Sequence, residues 1–177
     1  TESFRYLESV LGIKFREYDG GDIDIYFTDN DTGAYESNSV YPLGGFKLLS
    51  VINVSTNWSQ NDYLYQTFMH EIGHALGLGH TGNYNSPAVI TEAKFLNDGW
   101  PMSIMSYWDT YDNDYLSNSF GYVRTLMPAD FLALDMIYND YGFGTTNAFI
   151  GDTIYGFDTN ISSNSSYFLN QMNSDLL

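Results

Sequence analysis

The sequence contains no cysteine, and its basic residues are few. Without cysteine, no disulfide stabilises the fold and no thiol takes part in its chemistry. Lys and Arg together number 6 against 22 Asp and Glu, which gives a formal net charge of -16. Because nucleic acids and anionic membranes are bound mainly through Lys and Arg, this charge argues against both as partners.

Long apolar runs are also missing. No stretch of about 18 consecutive apolar residues occurs, so the sequence predicts no membrane-spanning helix. The opening residues Thr1-Glu2-Ser3-Phe4-Arg5 lack the pattern of a signal peptide, and we expect them to be an internal part of a longer precursor. The length of 177 residues is enough for one domain with a substantial core.

The chain has three histidines, and all of them lie within residues 70–80. A helix over residues 65–76, turning about 100° per residue, would direct an apolar stripe to the core. His70 and His74 then fall together on the opposite face, where both imidazoles can bind one ion. Glu71 projects sideways, where it can contact a water at that ion without being a ligand.

A third ligand has to approach the ion from another direction, because zinc prefers a near-tetrahedral site. Gly77 can end the helix with a positive φ, so that the chain returns and His80 reaches the same ion. The pattern is therefore HExxHxxGxxH, which arises by chance in a chain of this length with a probability roughly below one in a thousand. The alternative is an amphipathic helix with stray surface histidines, and the glycine and third histidine weigh against it.

Further segments extend this pattern. HExxHxxGxxH followed by a methionine turn is the motif of the metzincin zinc endopeptidases. Here Gly82-Asn83-Tyr84-Asn85 follows the third histidine, and Ser103-Ile104-Met105-Ser106-Tyr107-Trp108 comes further downstream. With these segments the sequence resembles the serralysin family of secreted bacterial metalloproteases.

The resemblance implies a set of site residues. The zinc ligands would be His70, His74 and His80. Glu71 would be the general base, and Tyr107 a further zinc ligand that can leave the metal and hydrogen-bond the oxyanion. Met105 would pack beneath the three imidazoles. Met105 and Tyr107 could instead be ordinary core residues, as such residues usually are.

One position departs from the family pattern. Thr81 follows the third histidine, where the family commonly has proline. Thr81 lies outside the ligand set, so the departure bears on the rigidity of the loop and not on the chemistry. The loop predicted over residues 81–103 is otherwise marked by turn-forming residues.

The resemblance implies an α+β fold, a metzincin-type domain with a twisted mixed sheet over the zinc-binding helix, a C-terminal helix and a Met-turn. A weak helical pattern covers Phe4–Leu11. Alternating residues predict strands over Ile13–Tyr18 and Asp22–Phe27, and Phe46–Val54 is the strongest β segment. A helix should run from Pro128 to about Tyr138.

Two more expectations come from the resemblance. An edge strand that pairs with the substrate backbone should lie within residues 33–42, because an exposed edge binds extended peptides through main-chain hydrogen bonds. The similarity covers about Phe4 to Phe157, so we expect a catalytic domain over residues 1–157 and an extension without a separate domain over residues 158–177. The GGxGxDxUx repeats of a calcium-binding β-roll do not occur in the sequence.

Calcium binding is left open by two acidic groups. Asp22 and Asp24 form one, and Asp109, Asp112 and Asp114 form the other. No EF-hand spacing follows the first group, which is read more simply as a solvated strand face. We read the second group as part of a mobile rim of the cleft. Ca²⁺ is therefore unsupported as a cofactor, and Zn²⁺ is the ion we expect.

The sequence therefore predicts a secreted, extracellular zinc endopeptidase that hydrolyses proteins and peptides with broad specificity as a monomer. A proteinaceous inhibitor is common for the resembled family. The alternatives are a narrow-specificity metzincin peptidase of another subgroup and a non-catalytic metal-binding module. The intact HExxH argues against the module, because a structural zinc site usually has four protein ligands.

Overall fold

The computed structural model describes residues 2–21, 23–40, 47–58, 62–116 and 119–145. These residues fall into two compact units. One comprises the described parts of Thr1–Arg16 and Asp135–Leu177, and the other is Glu17–Leu134, which contains the sheet and the three histidines. In the described part of the chain, no helix is long and apolar enough to cross a membrane.

Three strands form a mixed sheet in the larger unit. They are β1 (Ile25–Thr28), β2 (Ala34–Val40) and β3 (Lys47–Val54), in the order β1-β3-β2. β1 runs parallel to β3, whereas β2 runs antiparallel to it and forms one edge of this sheet. The strongest predicted β segment is thus the central strand, and its Ile52 is fully buried.

The described residues also form three α-helices. They are α1 (Glu2–Leu11), α2 (Asp62–Ala75) and α3 (Pro128–Tyr138), and short 3₁₀ turns cover Ile90–Glu92 and Asn139–Tyr141. α2 packs against β2 and β3 through its apolar face, on which Met69 and Ile72 are buried. The helix carrying the first two histidines is therefore packed on the sheet, in contact with its edge strand β2 and its central strand β3.

α2 ends in a Schellman cap. Gly77 has a φ of 102°, its N–H donates to the carbonyl of His74 at 2.9 Å, and the N–H of Leu78 donates to the carbonyl of Gly73 at 3.0 Å. A side chain at Gly77 would be strained in this left-handed conformation. The predicted break is confirmed, and the chain turns back toward the helix immediately after it.

One predicted strand is wrong. Ile13–Tyr18 has no regular secondary structure, although its residues alternate. Phe15 donates its N–H to the Glu8 carboxylate at 2.9 Å, and its ring packs on Phe4 at 4.8 Å between centroids. The segment lies along α1, because Phe15 makes both of these contacts to residues of that helix and not to a neighbouring strand.

The other predicted elements are found with shifted bounds. The helices predicted from Phe4 and from Pro128 are confirmed, and a single strand, β2, occupies Ala34–Val40 within the range of residues 33–42 expected for the edge strand. β1 begins at Ile25, three residues later than predicted. Asp22, Phe46, residues 41–42 of the expected edge strand and the domain boundary at residue 157 lie outside the described residues.

Candidate active site

The three imidazoles converge on one point. The Nε2 atom of His74 lies 3.1 Å from those of His70 and His80, which are 3.3 Å apart. Nitrogens bound to one zinc at tetrahedral angles, with bonds of about 2.0–2.1 Å, would lie about 3.3 Å from each other. In the part of the chain that the structure describes, this is the one group of three or more His, Asp or Glu whose ligand atoms could hold a metal.

Hydrogen bonds orient each imidazole. The Nδ1 atoms of His70, His74 and His80 lie 2.8, 2.9 and 2.8 Å from main-chain carbonyl oxygens. These oxygens belong to Ile104, Leu78 and Tyr84, respectively. A carbonyl can only accept, so Nδ1 carries the proton and the lone pair of Nε2 is left for a metal. The tautomer and the direction of all three rings are thus set by the backbone.

The charge state of the histidines also suits a metal. Burial, followed by the charge of the neighbouring His74, lowers the pKa of His70 to about 3, although the hydrogen bond to the Ile104 carbonyl acts in the opposite direction. Burial also lowers the pKa of His80, although the hydrogen bond to the Tyr84 carbonyl and the charge of Asp98 act in the opposite direction. A histidine must be neutral to bind a metal, so at neutral pH His70 and His80 are in the charge state that metal binding requires.

Met105 lies against the helix that carries the first two histidines. Its side chain is 1% exposed, and a Cβ at Gly73 would come within 2.6 Å of its Sδ atom. Any residue larger than glycine at position 73 would therefore displace this methionine. The adjacent Ile104 carbonyl binds His70, so the segment around Met105 supports the face of α2 that carries the histidines.

Glu71 is buried beside the histidines. Its Oε2 atom has no hydrogen-bond partner among the described residues. Burial, followed by the charge of Glu36, raises the pKa of Glu71 to about 8, while a hydrogen bond with the main chain of Glu36 lowers it. A cation at the imidazoles would lower this pKa as well, because it favours the charged carboxylate. With such a cation bound, the carboxylate would be ionised and its unpartnered oxygen would be available to accept a proton.

Tyr107 lies next to the third histidine. Its ring meets that of His80 edge-on at 4.5 Å between centroids and lies 6.1 Å from that of His70. Burial, followed by the charge of Glu71, raises the pKa of Tyr107, while a main-chain hydrogen bond at Ser86 lowers it. The phenol therefore keeps its proton at neutral pH. Its role as a metal ligand stays a prediction.

Comparisons with known proteins agree with this geometry. Two family models, both described as Metallo-peptidase family M12B Reprolysin-like, match residues 49–125 and 10–81. Metalloprotease AprA of Pseudomonas entomophila is 30% identical over 152 residues, which cover 82% of this chain and 30% of that protein. The chain belongs to the serralysin-like metallopeptidases.

Other relatives of this serralysin-like chain show the same partial coverage. Serralysin C of Dickeya chrysanthemi is 38% identical over 109 residues, covering 59% of this chain and 21% of that protein. Serralysin of Proteus mirabilis is 27% identical over 176 residues, covering 85% of this chain and 35% of that protein. The chain thus spans about a third or less of the length of the curated relatives it matches.

The edge strand of this serralysin-like domain contacts the site directly. β2 lies within the predicted range of residues 33–42, and the main chain of its Glu36 hydrogen-bonds Glu71. The Glu36 carboxylate is held in turn by Ser50 Oγ at 2.7 Å and by Asn38 Nδ2 at 3.1 Å. The sequence did not single out Glu36, because nothing in its spacing links it to Glu71, which lies 35 residues later.

Two buried carboxylates that support the site could not be identified from the sequence either. Asp98 and Asp130 are 3% and 2% exposed. In the sequence, Asp130 carries only the signal of an acid in the first turn of a helix. Asp98 is a lone acid in a loop and carries no signal of spacing at all. Both bind the segment around Met105, through Ser106 in one case and Ser103 in the other.

The acidic group after Tyr107 has a local structural role. The Asp109 carboxylate accepts hydrogen bonds from the N–H groups of Tyr111 and Asp112 at 2.6 and 3.1 Å. The Asp112 carboxylate accepts one from the N–H of Asp109 at 3.2 Å. These contacts close a turn, as Asx side chains often do. Calcium binding at this group or at Asp24 stays untested.

Proposed function

We propose that this chain is the catalytic domain of a secreted zinc endopeptidase that hydrolyses peptide bonds of proteins with broad specificity. The observation that carries the proposal is the convergence of three Nε2 atoms beside a buried carboxylate with one unpartnered oxygen. Family membership supports it, and so do relatives named serralysin and metalloprotease. We expect the domain to act as a monomer away from membranes.

His70, His74 and His80 would hold the zinc ion. Bound there, zinc would act as a Lewis acid and would lower the pKa of a coordinated water to roughly 7. Three protein ligands leave a coordination position open, which distinguishes a catalytic zinc site from a closed structural one. The backbone hydrogen bonds on each Nδ1 keep the rings in place for this purpose.

Glu71 would act twice in the reaction. As general base it takes a proton from the water that attacks the scissile carbonyl, and as general acid it then gives the proton to the leaving amine. Its burial supports this role, because a carboxylate with a raised pKa holds a proton more readily than one in water.

Tyr107 would stabilise the oxyanion that develops on the attacked carbonyl. Its protonated hydroxyl is a hydrogen-bond donor, and its ring already lies against His80. Removing one such donor typically lowers kcat by about 10²–10³-fold. The sequence resemblance further implies that Tyr107 leaves the metal when the substrate arrives.

β2 would bind the substrate. An extended peptide could add a fourth strand at this edge, where its backbone would bond the main chain of β2. The side chains of Ser37, Asn38 and Ser39 are polar and exposed along the strand. Recognition through the main chain makes little demand on substrate sequence, which is why we propose broad specificity.

The first prediction concerns metal removal. The 177-residue chain should cleave a denatured protein, lose that activity on treatment with a zinc chelator, and regain it when zinc is added back. Cleavage products followed by mass spectrometry measure activity and specificity together. A folded, zinc-loaded chain that cleaves nothing would contradict the proposal and favour a non-catalytic module. Cleavage confined to one or two sites would favour a narrow-specificity peptidase.

The second prediction concerns Tyr107→Phe. The variant should bind zinc and fold normally, but kcat should fall by about 10²-fold while KM changes little, because the lost hydrogen bond forms mainly in the transition state. Steady-state kinetics on a fluorogenic peptide gives both constants. Tyr115→Phe is the matched control, since Tyr115 is 69% exposed. An unchanged kcat in Tyr107→Phe would remove Tyr107 from this role.

A further inference from the structure

The third histidine is held differently from the other two. His70 and His74 project from successive turns of α2, whose backbone hydrogen bonds fix their positions. His80 follows the helix cap at Gly77 and lies in a segment without regular secondary structure. Its position therefore depends on tertiary contacts of the loop that follows it.

One buried carboxylate collects those contacts. Asp98 is 3% exposed, and its side chain accepts hydrogen bonds from Thr81 Oγ1, from the Tyr84 hydroxyl at 3.1 Å and from Ser106 Oγ at 2.7 Å. All three donors are neutral hydroxyl groups. Burying a carboxylate with neutral partners alone costs stability. We therefore attribute its presence to the arrangement in which it holds the three hydroxyl groups.

Tyr84 connects Asp98 to His80. Its main-chain carbonyl binds the Nδ1 atom of His80 at 2.8 Å, and its ring stacks on the imidazole at 5.6 Å with an interplanar angle of 14°. Because Asp98 holds the hydroxyl end of Tyr84, it restrains both of these contacts. Thr81, the residue next to His80, is bound by the same carboxylate.

Ser106 connects Asp98 to the residues on both sides of Tyr107. Its Oγ atom donates a hydrogen bond to Asp98 and accepts one from the N–H of Trp108 at 3.2 Å. The residues on both sides of Tyr107 are thereby tied to the carboxylate. The Tyr107 ring in turn meets the His80 ring edge-on.

We propose that Asp98 is a positioning residue that fixes His80 and Tyr107 relative to each other and so sets the affinity and coordination geometry of the metal site. The inference rests on the proposed function, since it assumes that the three histidines bind zinc. Thr81 contributes to this positioning. Where the resembled family commonly has proline, this chain has a hydroxyl that binds Asp98, so a side-chain hydrogen bond restrains the loop.

Asp98→Asn tests the proposal, because asparagine keeps the shape of the side chain and removes its charge and one acceptor. Zinc affinity, measured by competition with a chromogenic chelator, should fall by about 10–100-fold, the usual loss when a residue that supports a ligand is changed. The absorption bands of the Co²⁺-substituted protein should shift, because they report ligand geometry. Thr81→Val, which keeps two of the three hydrogen bonds, should shift both readouts in the same direction by a smaller amount.

Asp112→Asn is the matched control, since Asp112 is exposed and binds only its own turn. It should retain wild-type zinc affinity and the wild-type Co²⁺ spectrum. The same two results in Asp98→Asn would overturn the proposal. A weaker affinity with an unchanged Co²⁺ spectrum, matched by an equal destabilisation of the metal-free protein, would also overturn it, because the role would then be structural.

The proposed peptidase activity can fail separately. A wild-type chain that binds zinc tightly and cleaves no peptide would contradict the peptidase while the Asp98 measurements stand unaffected. A wild-type chain that binds no zinc would overturn both proposals.

Discussion

Glu71→Gln should abolish nearly all turnover while the zinc content and the fold stay as in the wild type. Glutamine has the shape of glutamate but cannot take a proton from water at neutral pH. A positioned general base contributes roughly 10²–10⁴-fold to rate, and Glu71 is proposed to serve both halves of the reaction. We therefore expect kcat/KM for a fluorogenic peptide to fall by at least about 10³-fold.

The size of this effect follows from the surroundings of Glu71. The side chain is 5% exposed, and its Oε2 atom has no hydrogen-bond partner among the described residues. Glu36 is near enough to raise the pKa of Glu71, but its own oxygens are already bound by Ser50 and Asn38. A substitute base is therefore not in place when Glu71 is changed.

Glu92→Gln provides the matched control for this variant. Glu92 is exposed, and its carboxylate only accepts the N–H of Val89 at 2.8 Å, which the carbonyl oxygen of glutamine can also do. It should leave kcat/KM unchanged. Zinc content by atomic absorption and a near-UV circular dichroism spectrum would show whether each variant keeps its site and fold. Near-normal hydrolysis by Glu71→Gln would refute the assigned mechanism.

The parts of the site that lie on one helix could be predicted because their signals are local. The spacing of His70 and His74, the sideways place of Glu71 and the break at Gly77 all follow from the turn of a helix and from glycine's access to positive φ. The structure has α2 and its cap where these signals place them. α3 was predictable for the same reason, since Pro128 and Asp130 are ordinary signals of a helix start.

The supporting contacts could not be predicted, because they join residues far apart in sequence. The carbonyl of Ile104 orients His70 across 34 residues, and Asp98 binds Thr81 across 17. Neither contact produces a periodic pattern in the sequence. The failed strand at Ile13–Tyr18 has a related cause: alternation indicates which side chains can pack against a surface, and Phe15 packs on Phe4 of α1 without any strand partner.

Asp130→Ala should cause the largest loss of stability among the changes considered. The carboxylate is 2% exposed and accepts hydrogen bonds from Ser103 Oγ at 2.6 Å, the N–H of Ile104 at 2.9 Å and the N–H of Met127 at 2.8 Å. Alanine would leave three donors without an acceptor and open a cavity. With about 1–3 kcal/mol for each buried unpaired group, the free energy of unfolding should fall by roughly 3–5 kcal/mol.

Asp130 joins two parts of the domain, so the loss should extend to the metal site. One of its hydrogen bonds caps α3 at Met127, and the other two hold Ser103 and Ile104 next to Met105. The carbonyl of that same Ile104 binds His70. Urea unfolding of the metal-free and zinc-loaded protein should therefore show lower stability in both states and less stabilisation by zinc. Asp140→Ala, an exposed change in the turn after α3, should match the wild type in both. If the two variants unfolded alike, Asp130 would not be the link between α3 and the Met105 segment that its contacts indicate.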